Sequence, residues 1–349
     1  MSKPNLFNYA TKELSQDAMI CWLLEWAKPE YENTDRNLHL CGVSLVKELI
    51  IKEYPSFKGS ISTLTIDPQH SCIIDGKKRS IDILCTVNDE YIILIEDKTN
   101  TSDGKIKLED YLTYVKEKFI NYKFVPIYFK TGFQLTFKDV HNAKYREFLR
   151  EDFINVLSNY SDIDNEIFQD YFKYLSKKEK ESQEYKTKSP NEWKKMQLQG
   201  FYKELHEKLG KGDGGYVPNP NRGFWGFWWN GNCKKYYFQI EKVNGDYQLS
   251  IKISLGKTIE ELLDCNTANV NCRKKMFRKI RDVFQKEINI IFESPSKFAN
   301  GQTMTIAVLK DWYKLTEDNT IDMNGTVRFL KNLSSINPFL IEEKTMHNS

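Results

Sequence analysis

Residues 78–98, KRSIDILCTVNDEYIILIEDK, constrain the fold more than any other part of the chain. They contain two apolar runs rich in β-branched side chains, residues 80–87 and 91–98, with the polar residues 88–90 between them. Two such runs joined by a short polar connection predict an antiparallel β-hairpin. Isoleucine and leucine fall on both faces of the second run, so we expect that strand to be buried.

The register of this hairpin decides whether its charged residues meet. A three-residue turn pairs Val87 with Tyr91 and places Asp82 opposite Glu96, with Cβ atoms about 5 Å apart. A two-residue turn would pair Asp82 with Asp97 on the other face, because a one-residue slip turns every side chain over. We predict the three-residue turn, since it gathers the apolar side chains of one face into a continuous layer. These side chains are Ile81, Ile83, Cys85, Val87, Ile93 and Ile95.

The charged face of the hairpin suits metal-assisted hydrolysis. Two facing carboxylates on buried strands repel each other, and a divalent cation removes the conflict. Mg²⁺, or Mn²⁺ in its place, accepts one or two carboxylates and keeps waters that a substrate phosphate can displace. Lys98 shares a face with Glu96 and can orient or activate the attacking water. The alternative is a surface hairpin whose Glu96 and Lys98 form an exposed ion pair that contributes almost nothing to stability.

The spacing of Asp82, thirteen further residues and then Glu96-Asp97-Lys98 resembles the motif of the PD-(D/E)XK nuclease superfamily. Residues 7–27, FNYATKELSQDAMICWLLEWA, and the later GFWGFWW resemble one of its bacterial branches. The resemblance covers residues 1–130 well and the remainder loosely. Asp82 follows an isoleucine where the motif has a proline, which is the weakest position of the motif.

The resemblance implies a restriction-endonuclease-like α/β core, a mixed central sheet flanked by helices, in residues 1–180. Residues 181–349 would form a C-terminal α+β region that serves substrate recognition. The implied activity is Mg²⁺-dependent hydrolysis of phosphodiester bonds by an endo- or exonuclease, with DNA favoured over RNA, in restriction, repair or phage defence. The alternative is a catalytically inactive module on the same fold that binds nucleic acid or protein.

The superfamily also implies roles for individual residues. Asp82 and Glu96 would hold the metal together with the main-chain carbonyl of Asp97, and Lys98 would position the hydrolytic water. Glu13 lies just before a helix that we predict to start after an N-cap at Ser15, and it is a candidate third acid. Its alternative is a solvated glutamate, whose charge is favourable near a helix N-terminus.

The helix that follows the hairpin, residues 105–119, carries a second signature. Superfamily members have a glutamine and a tyrosine four residues apart at its start, where this chain has Lys107 and Tyr111. Lys107 would contact a phosphate as a point charge or face solvent, and we favour solvent. Asp75 is an alternative motif aspartate, but its Asp-Gly pair indicates a turn instead.

Further elements complete the core. Helical patterns cover residues 36–53, with Leu40, Val43, Leu45, Val46 and Leu49 inward, and residues 145–157 and 163–175. Strands are expected at residues 61–74, where Pro68 indicates an irregular or edge segment, and at 124–130. The order helix, strand, strand, strand, helix, strand predicts an α/β layer with a mixed sheet. The charged residues 176–195 indicate a linker or an exposed helix.

The C-terminal half differs in composition. Alternating aromatic segments between Asn-Gly turns predict an antiparallel meander over residues 223–255, whose aromatic rings would stack on bases or, as we favour, form a core. Residues 210–215 resemble a phosphate-binding loop only superficially and are interpreted as a loop. The helix at residues 271–292 is the most basic segment. Three of its side chains are candidate phosphate contacts, with a solvated face as the alternative. They are Arg273, Lys274 and Arg278.

The composition of the whole chain agrees with a nucleic-acid partner without demanding one. The net charge is only +3, so the distribution of charge matters more than its sum. Seven cysteines without a CxxC pair predict reduced thiols in the cytoplasm and no zinc site. The N-terminus has no apolar signal region, and no run of 18 apolar residues predicts a membrane span. The sequence leaves a homodimer open.

Overall fold

The computed structural model describes residues 3–102, 104–219, 223–231, 236–243, 245–254, 269–301 and 303–338. The chain divides into two compact units, Met1–Lys180 and Glu181–Ser349. Each unit combines helices with its own five-stranded sheet, mixed in the first unit and antiparallel in the second. The mixed α/β class expected from the sequence is therefore confirmed, whereas the distinct roles of the two units stay a prediction.

The first unit contains the predicted hairpin within a mixed sheet. In chain order its elements are α1 (Glu13–Glu25), α2 (Arg36–Glu53), β1 (Leu64–Ile74), β2 (Lys77–Val87), β3 (Tyr91–Lys98), α3 (Lys105–Lys118), β4 (Lys123–Lys130), α4 (Lys138–Asn142), β5 (Arg146–Leu149), α5 (Arg150–Ser158) and α6 (Glu166–Gln183). The strands lie in the order β1-β2-β3-β4-β5. The β1-β2 and β2-β3 pairs are antiparallel, and β3-β4 and β4-β5 are parallel.

Helices cover both faces of this sheet. α1, α2, α5 and α6 pack on the face that carries Ile93 and Ile95, and α3 and α4 pack on the face that carries Ile92 and Leu94. Every residue of β3 is buried, as expected for a central strand of such a three-layer arrangement. The last three residues of β3, Glu96, Asp97 and Lys98, are thus charged side chains in a buried strand.

The structure confirms the predicted register of the hairpin. Val87 pairs with Tyr91, and the amide of Glu90 donates to the carbonyl of Val87 at 3.0 Å. Asn88 and Asp89 adopt positive φ angles of 55° and 50°, a conformation that asparagine and aspartate tolerate better than most residues.

The expected apolar layer needs one correction. Ile83, Cys85, Val87, Ile93 and Ile95 lie in one cluster, but Ile81 lies in the cluster on the opposite face of the sheet. The reason is that the ladder between β2 and β3 ends at the pair Ile83–Ile95. Beyond that pair, β1 is the only strand partner of β2 in the described part of the sheet, and Ile81 packs against α3.

Three local predictions in the first unit are wrong. α1 begins at Glu13 with Lys12 as its N-cap, so Ser15 lies within the helix. Arg146–Leu149 is not helical but forms strand β5. It pairs in parallel with β4, a partner distant in sequence that the local helical periodicity does not predict. Leu40 is 39% exposed, whereas the other predicted inward residues of α2 are buried or half-buried. β1 is an edge strand as expected.

The charged segment at residues 176–195 is more ordered than a linker. Its first part is the end of α6, and two short 3₁₀ turns, Glu184–Lys186 and Pro190–Glu192, follow. Tyr185 and Trp193 within it are buried.

The second unit contains the expected antiparallel sheet. Its elements are α7 (Lys195–Leu209), β6 (Asp213–Val217), β7 (Phe224–Asn230), β8 (Tyr237–Val243), β9 (Asp246–Ser254), α8 (Val270–Ile288), β10 (Thr303–Leu309) and α9 (Met323–Ser335). The strand order is β10-β9-β8-β7-β6. Phe227, Trp229 and Phe238 are buried, so these rings form a core, as favoured. Gly210, with φ +68°, ends α7, but the predicted loop gives way to β6 at Asp213.

Two findings concern the whole chain. Cys21, Cys41, Cys72 and Cys85 are free, but Cys272 is disulfide-bonded, so the expectation of reduced thiols fails for that residue. Among the helices described, none has the length and apolar character that crossing a membrane requires.

Candidate active site

The site begins where β2 and β3 separate. The last ladder pair is Ile83–Ile95, and the next position along the two strands is occupied by Asp82 and Glu96. Asp82 Oδ2 accepts a hydrogen bond of 2.8 Å from the main-chain amide of Asp97. The aspartate side chain thus takes the place of a strand partner for an amide at the end of the ladder.

Lys98 draws the acidic groups of the site together. Its Nζ lies 2.7 Å from Glu96 Oε1, 2.6 Å from the carbonyl oxygen of Asp97 and 3.3 Å from Asp82 Oδ2. The side chains of Glu96 and Lys98 are 1% and 6% exposed, and that of Asp82 is 19% exposed. The alternative of an exposed surface ion pair is therefore wrong.

The three oxygen atoms that contact Lys98 Nζ are those that the sequence nominates as metal ligands. They converge on one positively charged atom, and all are oxygen donors, the type that Mg²⁺ and Mn²⁺ prefer. The described residues contain no group of three or more His, Cys, Asp or Glu side chains arranged to hold a metal. Two carboxylates and a main-chain carbonyl fall below that count, so this donor set still fits a divalent cation.

Lys107 adds a second positive charge to the same carboxylate. Its Nζ lies 2.8 Å from Glu96 Oε1, and its side chain is 37% exposed. The ammonium group also lies 5.4 Å from the centre of the Tyr111 ring. Tyr111 is buried and donates from its hydroxyl to the carbonyl of Ser80 at 2.8 Å. The favoured interpretation of Lys107 as a solvated side chain is therefore wrong, because it faces the site, and Tyr111 has a structural contact.

Glu13 lies at the edge of the site. Its Oε1 accepts hydrogen bonds from the amide of Thr99 at 3.1 Å and the hydroxyl of Thr101 at 2.8 Å, and its Oε2 lies 3.9 Å from Lys98 Nζ. Burial alone would raise the pKa of Glu13. The two hydrogen bonds and the nearby lysine charge outweigh burial and hold this pKa below its ordinary value. Glu13 therefore stays ionised at neutral pH, and the alternative of an unattached, solvated glutamate is excluded.

Sequence reasoning missed the polar cluster behind β3. Gln16 Nε2 donates to Asp97 Oδ1 at 2.5 Å, and Thr131 Oγ1 donates to Gln16 Oε1 at 2.5 Å. Gln69 Nε2 donates to Asp17 Oδ2 at 2.9 Å. The available signal was the spacing of Glu13, Gln16 and Asp17, which places three polar residues on the inward stripe of α1.

Asp17 and Asp97 form a buried carboxyl pair. They are 4% and 0% exposed, and Asp17 Oδ1 and Asp97 Oδ2 receive no hydrogen bond from any donor in the described residues. Burial and the charge of Asp82 raise the pKa of Asp17 to about 6. Burial and the charge of Asp17 raise the pKa of Asp97 well above its usual range. A proton held by Asp97 and donated to Asp17 satisfies both oxygen atoms.

The remaining candidates lie away from this site. Asp75 is exposed in the β1–β2 turn with φ +51°, so it is not the motif aspartate. Arg273 is fully buried in α8, and its guanidinium donates to the carbonyl of Phe298 at 3.1 Å and to Asn300 Oδ1 at 2.6 Å. A buried guanidinium cannot reach a phosphate, so the prediction for Arg273 is wrong. Lys274 and Arg278 are exposed on the same helix.

Comparisons with protein-family models, with curated proteins and with solved structures found no match. What the site can do is therefore inferred from its own geometry.

Proposed function

We propose that the protein is a metal-dependent nuclease that hydrolyses phosphodiester bonds of nucleic acid, with DNA favoured over RNA. One observation carries the proposal. Asp82 Oδ2, Glu96 Oε1 and the carbonyl oxygen of Asp97 surround a single cationic atom, Lys98 Nζ, at the end of a buried strand. Two carboxylates, a carbonyl and a lysine in mutual contact are the groups that metal-assisted attack of water on a phosphodiester requires.

Asp82, Glu96 and the carbonyl of Asp97 would hold Mg²⁺ or Mn²⁺. When bound, such a cation supplies positive charge that stabilises the extra negative charge at phosphorus in the transition state. The carboxylates also fix Lys98 in place, so its ammonium group can donate a hydrogen bond to the oxygen of the attacking water.

Glu13 complements Lys98 in this scheme. Its Oε2 is the carboxylate oxygen 3.9 Å from Lys98 Nζ, and the hydrogen bonds from Thr99 and Thr101 occupy its other oxygen. Glu13 therefore offers an ionised acceptor beside the lysine that orients the water. Lys107, 37% exposed beside Glu96, can contact a phosphate oxygen of the substrate as a point charge.

In the second unit, Lys274 and Arg278 are proposed to contact phosphates through the exposed face of α8. Residues 270–288 carry seven basic and two acidic side chains, whereas the whole chain has a net charge of only +3. The apolar side of the same helix is buried at Ile280 and Phe284, so the helix presents its charge on one side.

The deciding experiment incubates the protein with plasmid, linear duplex DNA, single-stranded DNA and RNA, in Mg²⁺, Mn²⁺ or chelator. We expect cleavage of at least one DNA substrate with either metal and none with chelator. The Glu96→Gln protein should cleave none of them. Cleavage in chelator, or an undiminished rate in Glu96→Gln, would end the proposal.

A second candidate function is a binding module without chemistry. One observation favours it: Lys98 and Lys107 both contact Glu96, so the acidic groups are already compensated by two ammonium groups. Calorimetry separates the candidates. Heat of Mn²⁺ binding to the wild-type protein that disappears in Glu96→Gln supports the nuclease, and no heat in either protein supports the module.

A further inference from the structure

The β1–β2 hairpin extends beyond the rest of its sheet. β1 and β2 pair from Leu64–Val87 to Ile74–Lys77, whereas β2 and β3 pair only from Ile83–Ile95 to Val87–Tyr91. Residues 77–82 of β2 therefore have only β1 as a strand partner within the described part of the sheet. We call residues 69–82 the arm. Its free length of six residues per strand corresponds to about 20 Å.

One face of the arm is supported. Cys72 and Ile81 are buried in a cluster with Leu108 and Leu112 of α3. The hydroxyl of Tyr111 in α3 donates a hydrogen bond to the carbonyl of Ser80 in the arm. These contacts with α3 fix the orientation of the arm relative to the sheet.

The other face of the arm is open. Ser71, Ile73 and Lys78 are exposed, and Ile73 pairs across the ribbon with Lys78. Ile73 is 71% exposed, an unusual degree for an isoleucine in a strand. The open face therefore presents Ile73 and Lys78 side by side to solvent.

The tip of the arm is positively charged. Its sequence is Asp75-Gly76-Lys77-Lys78-Arg79, with one acid and three bases. Arg79 contacts Asp110 at 2.7 Å, but Lys77 and Lys78 are exposed and make no ion pair with any residue in the described ranges. Their charge is available for an anionic partner.

The dimensions of the arm select among anionic partners. Two strands lie about 4.8 Å apart, and with side chains a ribbon is about 10 Å wide. The major groove of B-form DNA, about 12 Å wide, admits a two-stranded ribbon, whereas the minor groove, about 6 Å wide, does not. The major groove of A-form RNA is too narrow and deep for it. A single strand offers no groove.

The base of the arm lies at the candidate site. Asp82 is the last residue of the arm and the first carboxylate of the site, so a duplex held by the arm would pass its backbone beside Glu96 and Lys98. We propose that the arm enters the major groove of duplex DNA, with Lys77 and Lys78 contacting the phosphates that border the groove. This proposal rests on the proposed function in taking nucleic acid as the substrate, and it adds that the substrate is double-stranded DNA.

The test measures binding in chelator, which needs no chemistry. Fluorescence anisotropy is followed with a labelled 20-base-pair DNA duplex, one of its strands alone and an RNA duplex of the same sequence. For Lys77→Ala/Lys78→Ala, we expect affinity for the DNA duplex to fall about tenfold at 150 mM salt, with a salt slope smaller by about two. Affinity for the single strand and for the RNA duplex should change less than twofold. The control is Lys138→Ala/Lys173→Ala, which removes two exposed lysines outside residues 69–82 and should leave the three affinities unchanged.

A second pair of variants tests the open face. Ile73→Asp places a negative charge beside Lys78 and should weaken duplex binding about tenfold. Ile120→Asp is its matched control, because Ile120 is 72% exposed against 71% for Ile73 but lies outside the arm. Thermal melting of all variants confirms that they fold.

The outcomes keep this proposal separate from the nuclease proposal. Equal losses in the arm and control variants, equal losses for duplex and single strand, or a wild-type protein that binds no duplex would overturn the arm proposal even if cleavage is observed. Selective loss of duplex binding in the arm variants supports it even if the protein cleaves nothing.

Discussion

The carboxylate of Asp82 accepts a hydrogen bond of 2.8 Å from the main-chain amide of Asp97. The same peptide segment presents the carbonyl of Asp97 to Lys98 Nζ at 2.6 Å. Asp82 therefore fixes the end of β3 and, through it, the position of a proposed metal ligand. The site depends on the point at which the two strands part.

Glu96→Gln should reduce cleavage at least ~100-fold, because the neutral amide removes the charge that would hold the metal. The rate of single-turnover cleavage of labelled duplex DNA in Mg²⁺ measures the effect. Glu90→Gln is the matched control, since Glu90 is 49% exposed in the turn before β3 and pairs with the exposed Lys123. A similar loss in both variants would show that the effect is not specific to the site.

Lys98→Met should abolish cleavage and yet strengthen metal binding. The ammonium group of Lys98 contacts the three oxygen atoms that would hold the cation, so the two positive charges compete. Removing one should lower the Mn²⁺ dissociation constant on the order of tenfold. The measurement is the rise in Tm with Mn²⁺ concentration.

Lys107→Met is the control for this comparison, because Lys107 contacts Glu96 Oε1, one of the three oxygen atoms, from a side chain that is 37% exposed. It should change Mn²⁺ affinity much less than Lys98→Met. Weaker Mn²⁺ binding by folded Lys98→Met would contradict the proposed ligand set.

Asp17→Asn should stabilise the protein at neutral pH. Burial raises the pKa of Asp17 to about 6 from an ordinary value of 3.8, so the folded state binds a proton more tightly than the unfolded state. The stability contribution of Asp17 is present below pH 4 and is lost as pH rises through about 6. At pH 7.5 the ionised Asp17 destabilises the wild type by on the order of 3 kcal/mol, a cost that asparagine avoids.

The measurement is the difference in Tm between Asp17→Asn and wild type at pH 5 and pH 7.5, and we expect it to be larger at pH 7.5. Asparagine can still accept from Gln69 and donate to Asp97. Asp75→Asn, at an exposed turn position, is the control for the loss of one carboxylate. A difference that shrinks as pH rises would contradict the buried pair.

Gln16→Met should destabilise the first unit by about 2 kcal/mol, because Asp97 loses a buried donor and Thr131 loses a buried acceptor. The free energy of unfolding in urea measures the loss. Gln134→Met is the control: Gln134 is half-buried and contacts Tyr128 and Thr136, and we expect less than half the effect. A neutral Gln16→Met would mean that the cluster behind β3 does not hold the strand.

The sequence by itself determined what depends on neighbours along the chain. The twofold alternation of strands and one turn length fixed the hairpin, its register from Val87–Tyr91 to Ile83–Ile95, and the shared face of Glu96 and Lys98. Helical periodicity likewise determined α2, α3 and the apolar side of α8. These features follow from local geometry that every residue carries with it.

Only the tertiary structure decided which distant side chains meet. Gln16 and Asp17 reach Asp97, and Lys107 reaches Glu96, because α1 and α3 pack on opposite faces of one strand. Arg273 is buried although its neighbours in the sequence are basic, because its guanidinium donates to the carbonyl of Phe298 and to Asn300 Oδ1. Partners of this kind are set by how helices and strands pack, and no spacing within a single segment encodes that.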